Sequence, residues 1–503
     1  MIILRVNSTR GKIFNCPKKV LQKINKACSY LSPGHEFSEA YLNGIWDGYV
    51  RKFSYGRQTF PSGLLYRILV ILKKEGLEYT VDDTRRKFSW TEEEIVENLK
   101  TFKFSLRKYQ IDGLIRGLKV PYMIFWWATS SGKTVQFAAL ITALKTSEFR
   151  RTLILVSNKD LAAQHRKELG SMLDTEIGVI EEGKFSPKRV TVAVINTLWQ
   201  KAVKKKDKSV LRYLSQIEHL ILDECHRVID SKMFKQTISR CKNTIARHGF
   251  SGTPFSLTTS DLELESVTGP PLSVVSMSKL IDEGWVSVPH IHMVKYEQPF
   301  IRHVYNYAEL YKKGISENPF RNRAVVDIIF KEYERTNEPS ILVIIRIIKH
   351  GKILQDMLVE EGVDPDEMVF IHGSTPKAAR KLVKERFRDK EIRVVIASSI
   401  WVEGIDIPTV DVLVQADGGG GGELQEGRGI RNVIQKLGRV IRKPIKSGEI
   451  DVDCSEENIV KVFDFFDEGG VDLIKHSQNR YLTYKMERGF VVKEVRYEEK
   501  RSS

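Results

Sequence analysis

Short apolar runs alternate with longer stretches of helical periodicity over most of this chain. Between about residues 105 and 290, "TLILVS", "VTVAVI" and "HLILDE" read as strands, while "TVQFAALITALK" and "DLAAQHRKELGSML" repeat apolar residues at helical spacing. That alternation predicts βαβ units and a parallel sheet. The pattern resumes over 320–450 with "SILVII", "MVFIHG", "RVVIAS" and "VDVLVQ". Two consecutive α/β domains of similar size are therefore expected, at 105–300 and 315–454.

The flanking segments are patterned differently. Residues 1–81 read as a small α+β domain: an apolar start "IILRV", then Pro17 opening a helical pattern to about Leu31. "AYLNGIWDGYVRKFS" suggests two strands around turn glycines, and "SGLLYRILVILKKEG" a helix closed by Lys73, Lys74 and Gly76. The charge-dense stretch 82–104 reads as a linker with one short helix, and 455–503 as a charged helical extension.

Charge changes the picture more than composition does. At 503 residues, 42% hydrophobic and 29% charged, the chain has a globular profile. Its apolar runs are too short to span a bilayer, and the first residues lack signal-peptide order, so no membrane partner and a cytoplasmic location are expected. None of the five cysteines, Cys16, Cys28, Cys225, Cys241 and Cys454, forms a C-x-x-C pair, which favours reduced structural thiols. The net charge is +16, and residues 1–81 carry 13 Lys/Arg against 5 Asp/Glu, a net of +8. Half the excess in the first sixth of the chain suggests a polyanion-binding module, with a solvated basic face as the plainer alternative.

The candidate chemistry begins at "IFWWATSSGKT". A phosphate-binding loop reads G-x-x-x-x-G-K-[ST] after a strand. Thr129, Ser130, Ser131, Gly132, Lys133 and Thr134 fit it, but Trp127 stands where the first glycine belongs. Small residues let backbone N–H groups approach phosphate oxygens at a helix N-terminus, Lys133 supplies charge, and Thr134 can ligate Mg²⁺. Downstream, "HLILDECH" is an apolar strand ending in Asp223 and Glu224. One sheet position from the loop, such a pair can supply a Mg²⁺ carboxylate and a water-activating base. In "QKLGRVIRK", Arg439 and Arg442 share one helix face, able to reach a γ-phosphate.

Taken in order, these motifs resemble the superfamily 2 helicases and translocases. Gln110 in "LRKYQIDGL" resembles the adenine-reading Q motif; "VSNKDLAAQ" and "INTLWQ" resemble the Ia and Ib motifs that touch the nucleic-acid backbone. "SGTP" resembles motif III, "SSIWVEGIDIP" motif V with Glu403, Gly404 and Asp406, and "QKLGRVIR" motif VI with Gln435, Arg439 and Arg442. "DECH", the bulky loop start, "KHGKIL" and "FIHGST" are most similar to the phage UvsW-type recombination helicases, within the branch that holds XPB and type I restriction translocases.

The resemblance implies two tandem RecA-like domains with ATP and Mg²⁺ in their cleft. Gln110 would read adenine, Lys133 the β/γ-phosphates, and Thr134 and Asp223 the metal. Glu224 would act as base, with Arg439 and Arg442 as arginine fingers. It further implies sequence-independent binding of single-stranded, forked or branched DNA through phosphates, 3′-to-5′ movement, a phage origin with host cytoplasm as location, and a role in recombination, replication or repair. A monomeric motor is one expectation. The basic run "KAVKKKDKSVLR" is divided between phosphate contact and a solvated loop. Trp46, Trp199 and Trp401 read as packed rather than strand-separating. An RNA helicase and an ATP-switched annealing clamp are the alternatives.

Overall fold

The computed structural model describes residues 1–85, 91–144, 151–229, 231–253, 261–302, 304, 306–398, 410–418, 437–438 and 459–498. The chain divides into two compact units: Met1–Ala128 with Gly132–Val275, and Ser276–Ser503 with the loop residues Thr129–Ser131.

The first unit begins with a four-stranded sheet in the order Thr59–Pro61, Arg10–Phe14, Ile2–Val6, Tyr79–Asp83. Ile2–Val6 runs antiparallel to Arg10–Phe14 and parallel to Tyr79–Asp83. Helices Lys18–Ala27 and Leu65–Lys74 bury Ile24, Ile68 and Leu72 with Leu4 and Ile13 of the sheet. The segment expected as two strands around glycines holds a short helix, Glu39–Leu42, and one strand, Tyr49–Arg51, paired with Ser29–Leu31. That pairing also ends the first helix at Ala27, short of the expected Leu31. In the stretch read as a linker, Thr91 and Glu94 form a capping box that starts the helix Glu92–Lys100.

This small domain is latched to the sheet that follows. Gly63 lies so close to the helix Asp261–Thr268 that a Cβ there would sit 2.2 Å from the Glu265 carbonyl oxygen. Arg67 pairs with Glu265 at 2.6 Å, and Lys52 and Tyr30 both reach Glu263. The Tyr122 hydroxyl lies 2.9 Å from the Ser8 carbonyl and 3.1 Å from that of Thr244, with Arg85 and Arg247 over its ring.

The large sheet of the first unit has eight strands. Its order is Lys184–Ser186, Gly178–Glu181, Val190–Val194, Thr152–Val156, His219–Asp223, Ala246–Ser251, Tyr122–Trp127, Pro271–Val275. All pairings are parallel except that of Lys184–Ser186. The central runs are buried at every position, as strands covered on both faces must be.

The second unit holds an all-parallel seven-stranded sheet: Met368–Ile371, Val394–Ser398, Ile341–Ile345, Val412–Gln415, Ile459–Phe466, Val288–Lys295, Val491–Arg496. The boundary read at residue 300 therefore falls too late, because Val288–Lys295 hydrogen-bonds into this second sheet. The boundary at 454 falls too early. The C-terminal stretch supplies the expected helix, Val471–Met486, and also two strands of the sheet. Fully buried Arg321 and nearly buried Arg480 tie these pieces together: Arg321 pairs with Asp467 at 2.7 Å, and Arg480 with Asp464 at 2.9 Å.

Three buried histidines are held neutral. The Gly117 carbonyl lies 3.1 Å from His248 Nε2, which leaves His248 Nδ1 as acceptor for His219 Nε2 at 3.0 Å. His350 Nε2 meets Asn322 Oδ1 at 3.0 Å. Burial pushes His248 down to about 4 and His350 down to about 3, and drives His219 well below its ordinary value. An unfolded histidine takes a proton near pH 6.5 and these do not, so the unfolded state binds more protons below that pH. Stability should hold above about pH 7 and fall on acidification, by about 1.4 kcal/mol per histidine for each unit below about 6.5. Urea denaturation midpoints between pH 7 and 5 measure this, and His350→Asn should flatten part of the slope.

Candidate nucleotide site

The loop after strand Tyr122–Trp127 turns through two left-handed residues, Ser130 at φ 70° and Gly132 at φ 77°, before the helix Lys133–Ala143 begins. Such turns aim backbone N–H groups into an anion-binding concavity, and the helix N-terminus adds its partial positive charge. Gly132 is required twice: by its φ, and because a Cβ would lie 2.6 Å from Gln110 Nε2. Gln110 is buried, and its Oε1 accepts from the Arg107 backbone N–H at 2.9 Å. It braces the loop from behind.

Trp127 belongs to the core rather than the loop. It is fully buried, packs edge-on against Tyr109 and Phe125, and donates from Nε1 to Ser273 Oγ at 2.9 Å. Gly113 makes room for it, since a Cβ there would lie 2.6 Å from the indole. The missing glycine therefore costs the loop nothing: the left-handed turns lie further on, at Ser130 and Gly132.

The acids lie at the same sheet edge. Asp223 ends its strand, and Glu224 follows in the left-handed region at φ 46°. The strand Ala246–Ser251 runs between the acidic strand and the loop strand, so the acids are two sheet positions from the loop and not one. The gap is spanned by side chains: Lys133 Nζ reaches Glu224 Oε1 at 3.3 Å, with both groups mostly buried. Thr134, at the start of the helix, and Asp223 carry oxygen donors of the kind that suit a phosphate-bound Mg²⁺, while Lys133 supplies positive charge for the phosphates themselves. No cluster of three or more His, Cys, Asp or Glu side chains suited to a metal occurs among the described residues, so the metal would need phosphate oxygens as well.

Two histidines that the sequence reading passed over complete the array. His165, on helix Lys159–Leu173, lies 2.9 Å from Asp223 Oδ2, while Asp223 Oδ1 accepts from the Glu224 backbone at 3.0 Å. Burial opposes charge on His165, but the Asp223 carboxylate outweighs it and raises the pKa above its ordinary value. His165 shares the buried face of its helix with Ala162 and Leu169, so a titratable residue at an apolar position was the available signal. His226, the last residue of "DECH", lies 3.4 Å from Glu224 Oε2 and 2.9 Å from Ser251 Oγ of "SGTP". Lys133, Glu224, His226 and Ser251 thus form one line across three strand ends.

Gly404, Asp406, Gln435, Arg439 and Arg442 lie outside the described residues, as do Glu403 and Trp401. Of the basic run, Lys201 and Lys204 lie over the rings of Phe185 and Trp199, and the Trp199 indole donates to Gln236. Trp46 donates to the Tyr49 carbonyl at 3.0 Å. Burial pushes Cys28 and Cys241 up to about 12, as expected of structural thiols. No helix among the described residues is long and apolar enough to cross a membrane.

Two family models match the chain. Residues 94–256 match "Type III restriction enzyme, res subunit", and residues 321–444 match "Helicase conserved C-terminal domain". The Rad25 protein of Haloarcula marismortui is 27% identical over 343 residues, covering 68% of this chain and 51% of that one. The DNA 3'-5' translocase XPB2 of Sulfurisphaera tokodaii is 22% identical over 407 residues, covering 74% of this chain and 88% of that one. The chain thus spans about half the length of the first of these relatives. The crystal structure of T4 UvsW aligns with 98% of this chain and 99% of that one, at 20% identity and a TM-score of 0.46.

Restoring the usual loop glycine, Trp127→Gly, should remove about 3–5 kcal/mol of stability by opening a core cavity, and Trp127→Phe much less. Thermal denaturation of the two variants checks the order. Replacing His165 by Leu strips a buried carboxylate oxygen of its partner and should cost about 1–3 kcal/mol. His165→Gln, which keeps a donor, should recover part of that in the same measurement.

Proposed function

We propose that the chain is a superfamily 2 helicase, an ATP-driven DNA helicase or translocase acting on forked or branched DNA, a reading that the two family models and the Rad25 relative support. The observation that carries this reading is the Lys133–Glu224 contact of 3.3 Å, which joins the phosphate loop to the acidic strand end. In this reading the contact supports one site for ATP hydrolysis, with the phosphate-gripping lysine beside the water-activating acid. The name of XPB2, a DNA 3'-5' translocase aligned over most of its length, supports DNA and a 3′-to-5′ direction.

In this reading Lys133 and the loop N–H groups grip the β- and γ-phosphates. Mg²⁺, held by the Thr134 hydroxyl and the Asp223 carboxylate, would offset phosphate charge when bound. His165 and the Glu224 N–H orient Asp223 by taking one oxygen each. Glu224 accepts the proton of the attacking water, with His226 aligning its Oε2 side and linking it to Ser251. Gln110 braces Gly132 and is assigned to adenine. Gly404, Asp406, Gln435, Arg439 and Arg442 belong to the proposal through their sequence motifs.

The deciding experiment is steady-state ATPase without nucleic acid and with single-stranded DNA, linear duplex, forked DNA and structured RNA. Forked or single-stranded DNA should stimulate strongly and RNA little, while preference for RNA would replace this reading by an RNA helicase. Lys133→Ala should abolish turnover, and Glu224→Gln should lower kcat by about 10²–10⁴-fold. A Lys133→Ala variant as active as the parent would remove the loop from the mechanism.

A further inference from the structure

Lys133, Asp223 and Ser251 sit where the strands of the first unit's large sheet leave it. The opposite edge, where those strands enter, carries two adjoining cavities of about 540 and 660 Å³, and Asn243 lines both. Arg10, Arg85 and Lys242 line the first; Arg151, Lys188 and Arg189 line the second. Against these six cations stands one lining carboxylate, Glu218, which is 3% exposed. Arg85 pairs with Asp83 and Lys188 with Glu176, but none of the other four cations has an ion pair among the described residues.

The cations are set in register by the sheet. The Thr152 N–H donates to the Arg189 carbonyl at 2.9 Å, and the Glu218 N–H to that of Arg151 at 3.2 Å. Arg189 and Arg151 therefore precede neighbouring strands, about 5 Å apart along the edge. Like charges at adjacent strand positions repel, so this arrangement adds nothing to the stability of the sheet. Apart from Pro187, the rest of the lining is hydroxyl and amide, including Ser8, Thr9, Thr84, Ser215 and Gln216. Cations spread among neutral hydrogen-bonding groups, rather than converged on one point, suit phosphates spaced along a backbone.

The surface is also preformed. Arg10 is carried on a turn that Asn7 holds by accepting from the Thr9 and Arg10 N–H groups at 2.9 and 2.8 Å. Asn243 Nδ2 donates to the Ser215 carbonyl at 2.7 Å, fixing the wall between the cavities. The Tyr122 latch joins the small domain's contribution to that of the sheet.

We propose that this groove is a second nucleic-acid surface, which grips the phosphate backbone of a duplex arm at the edge opposite the nucleotide site. The proposal rests on the motor reading above. The segments resembling motifs Ia and Ib follow strands Thr152–Val156 and Val190–Val194 at the exit edge, so a strand moved along them does not run through this groove. What the groove holds is an arm that stays put while the other strand moves.

The test uses the full-length chain with Arg10, Arg189 and Lys242 each changed to Glu, beside a charge-keeping partner with Arg10→Lys, Arg189→Lys and Lys242→Arg. Fluorescence anisotropy gives affinities for a forked duplex and a single strand across a salt series, and single-strand-stimulated ATPase serves as control. Charge reversal should weaken fork binding by at least about tenfold and reduce the log–log salt slope by about 2–3, near 0.9 per lost phosphate contact. The charge-keeping variant should match the parent, and single-strand-stimulated ATPase should stay within about twofold in both. Unchanged fork affinity and slope would overturn the proposal, as would equal losses in both variants. So would loss of binding to phosphatidylserine-containing vesicles alone, which would make the groove a membrane contact. If the parent binds no nucleic acid and none stimulates its ATPase, the motor reading fails first and the groove with it.

Discussion

Strands that run the same way must all leave a sheet at the same edge, and both the chemistry and the charge of the first unit follow from that constraint. Trp127, Val156, Val194, Asp223 and Ser251 are the last residues of five strands in one parallel array. Each opens or precedes a segment of candidate function: the phosphate loop, the segments resembling motifs Ia and Ib, the acidic pair and "SGTP". Side chains from strands separated by another strand can then meet, as Lys133 and Glu224 do. The entry edge is left for other uses, and there the arginines and lysines of the two cavities collect.

Much of this was legible in the amino-acid order because burial on both faces leaves an unambiguous trace. Runs such as "TLILVS" and "VTVAVI" are strands buried at every position. The loop was legible because its chemistry is local: small residues, then a lysine and a threonine at a helix start. Trp127 read as an irregularity because the motif counts positions, whereas the chain needs left-handed backbone only at Ser130 and Gly132. The order of strands was not legible, since pairing is non-local, and so the acidic strand seemed one position closer to the loop than it is. His165 escaped notice for the same reason, its partner Asp223 being 58 residues away.

The second unit shows where local reading stops. Val288–Lys295, Ile459–Phe466 and Val491–Arg496 lie side by side in one sheet although more than 150 residues of chain separate the first from the second. A charge-rich tail read residue by residue looks like a helical extension. Two of its acids are in fact among the least exposed groups of the unit: Asp464 and Asp467 are fully buried, held by Arg480, Arg321 and the hydroxyls of Tyr484 and Tyr296. Taking one partner from such a cluster leaves a buried charge uncompensated, typically at about 3–5 kcal/mol. The cluster works less as a source of stability than as a register mark, since no other alignment of the tail would satisfy these charges together.

Tyr122 is the first residue of a six-residue strand whose last residue, Trp127, stands directly before the nucleotide loop. Its hydroxyl lies against the Ser8 carbonyl of the small domain, and two guanidinium groups lie against its ring. A fully extended segment of that length is stiff along its axis, because every backbone group in it is already committed to its neighbours. In mechanical terms it is a pushrod: load borne by the small domain arrives at the phosphate loop with little lost to bending. A drag on the small domain would be felt at the candidate phosphate loop without any signal having to travel around the rest of the fold.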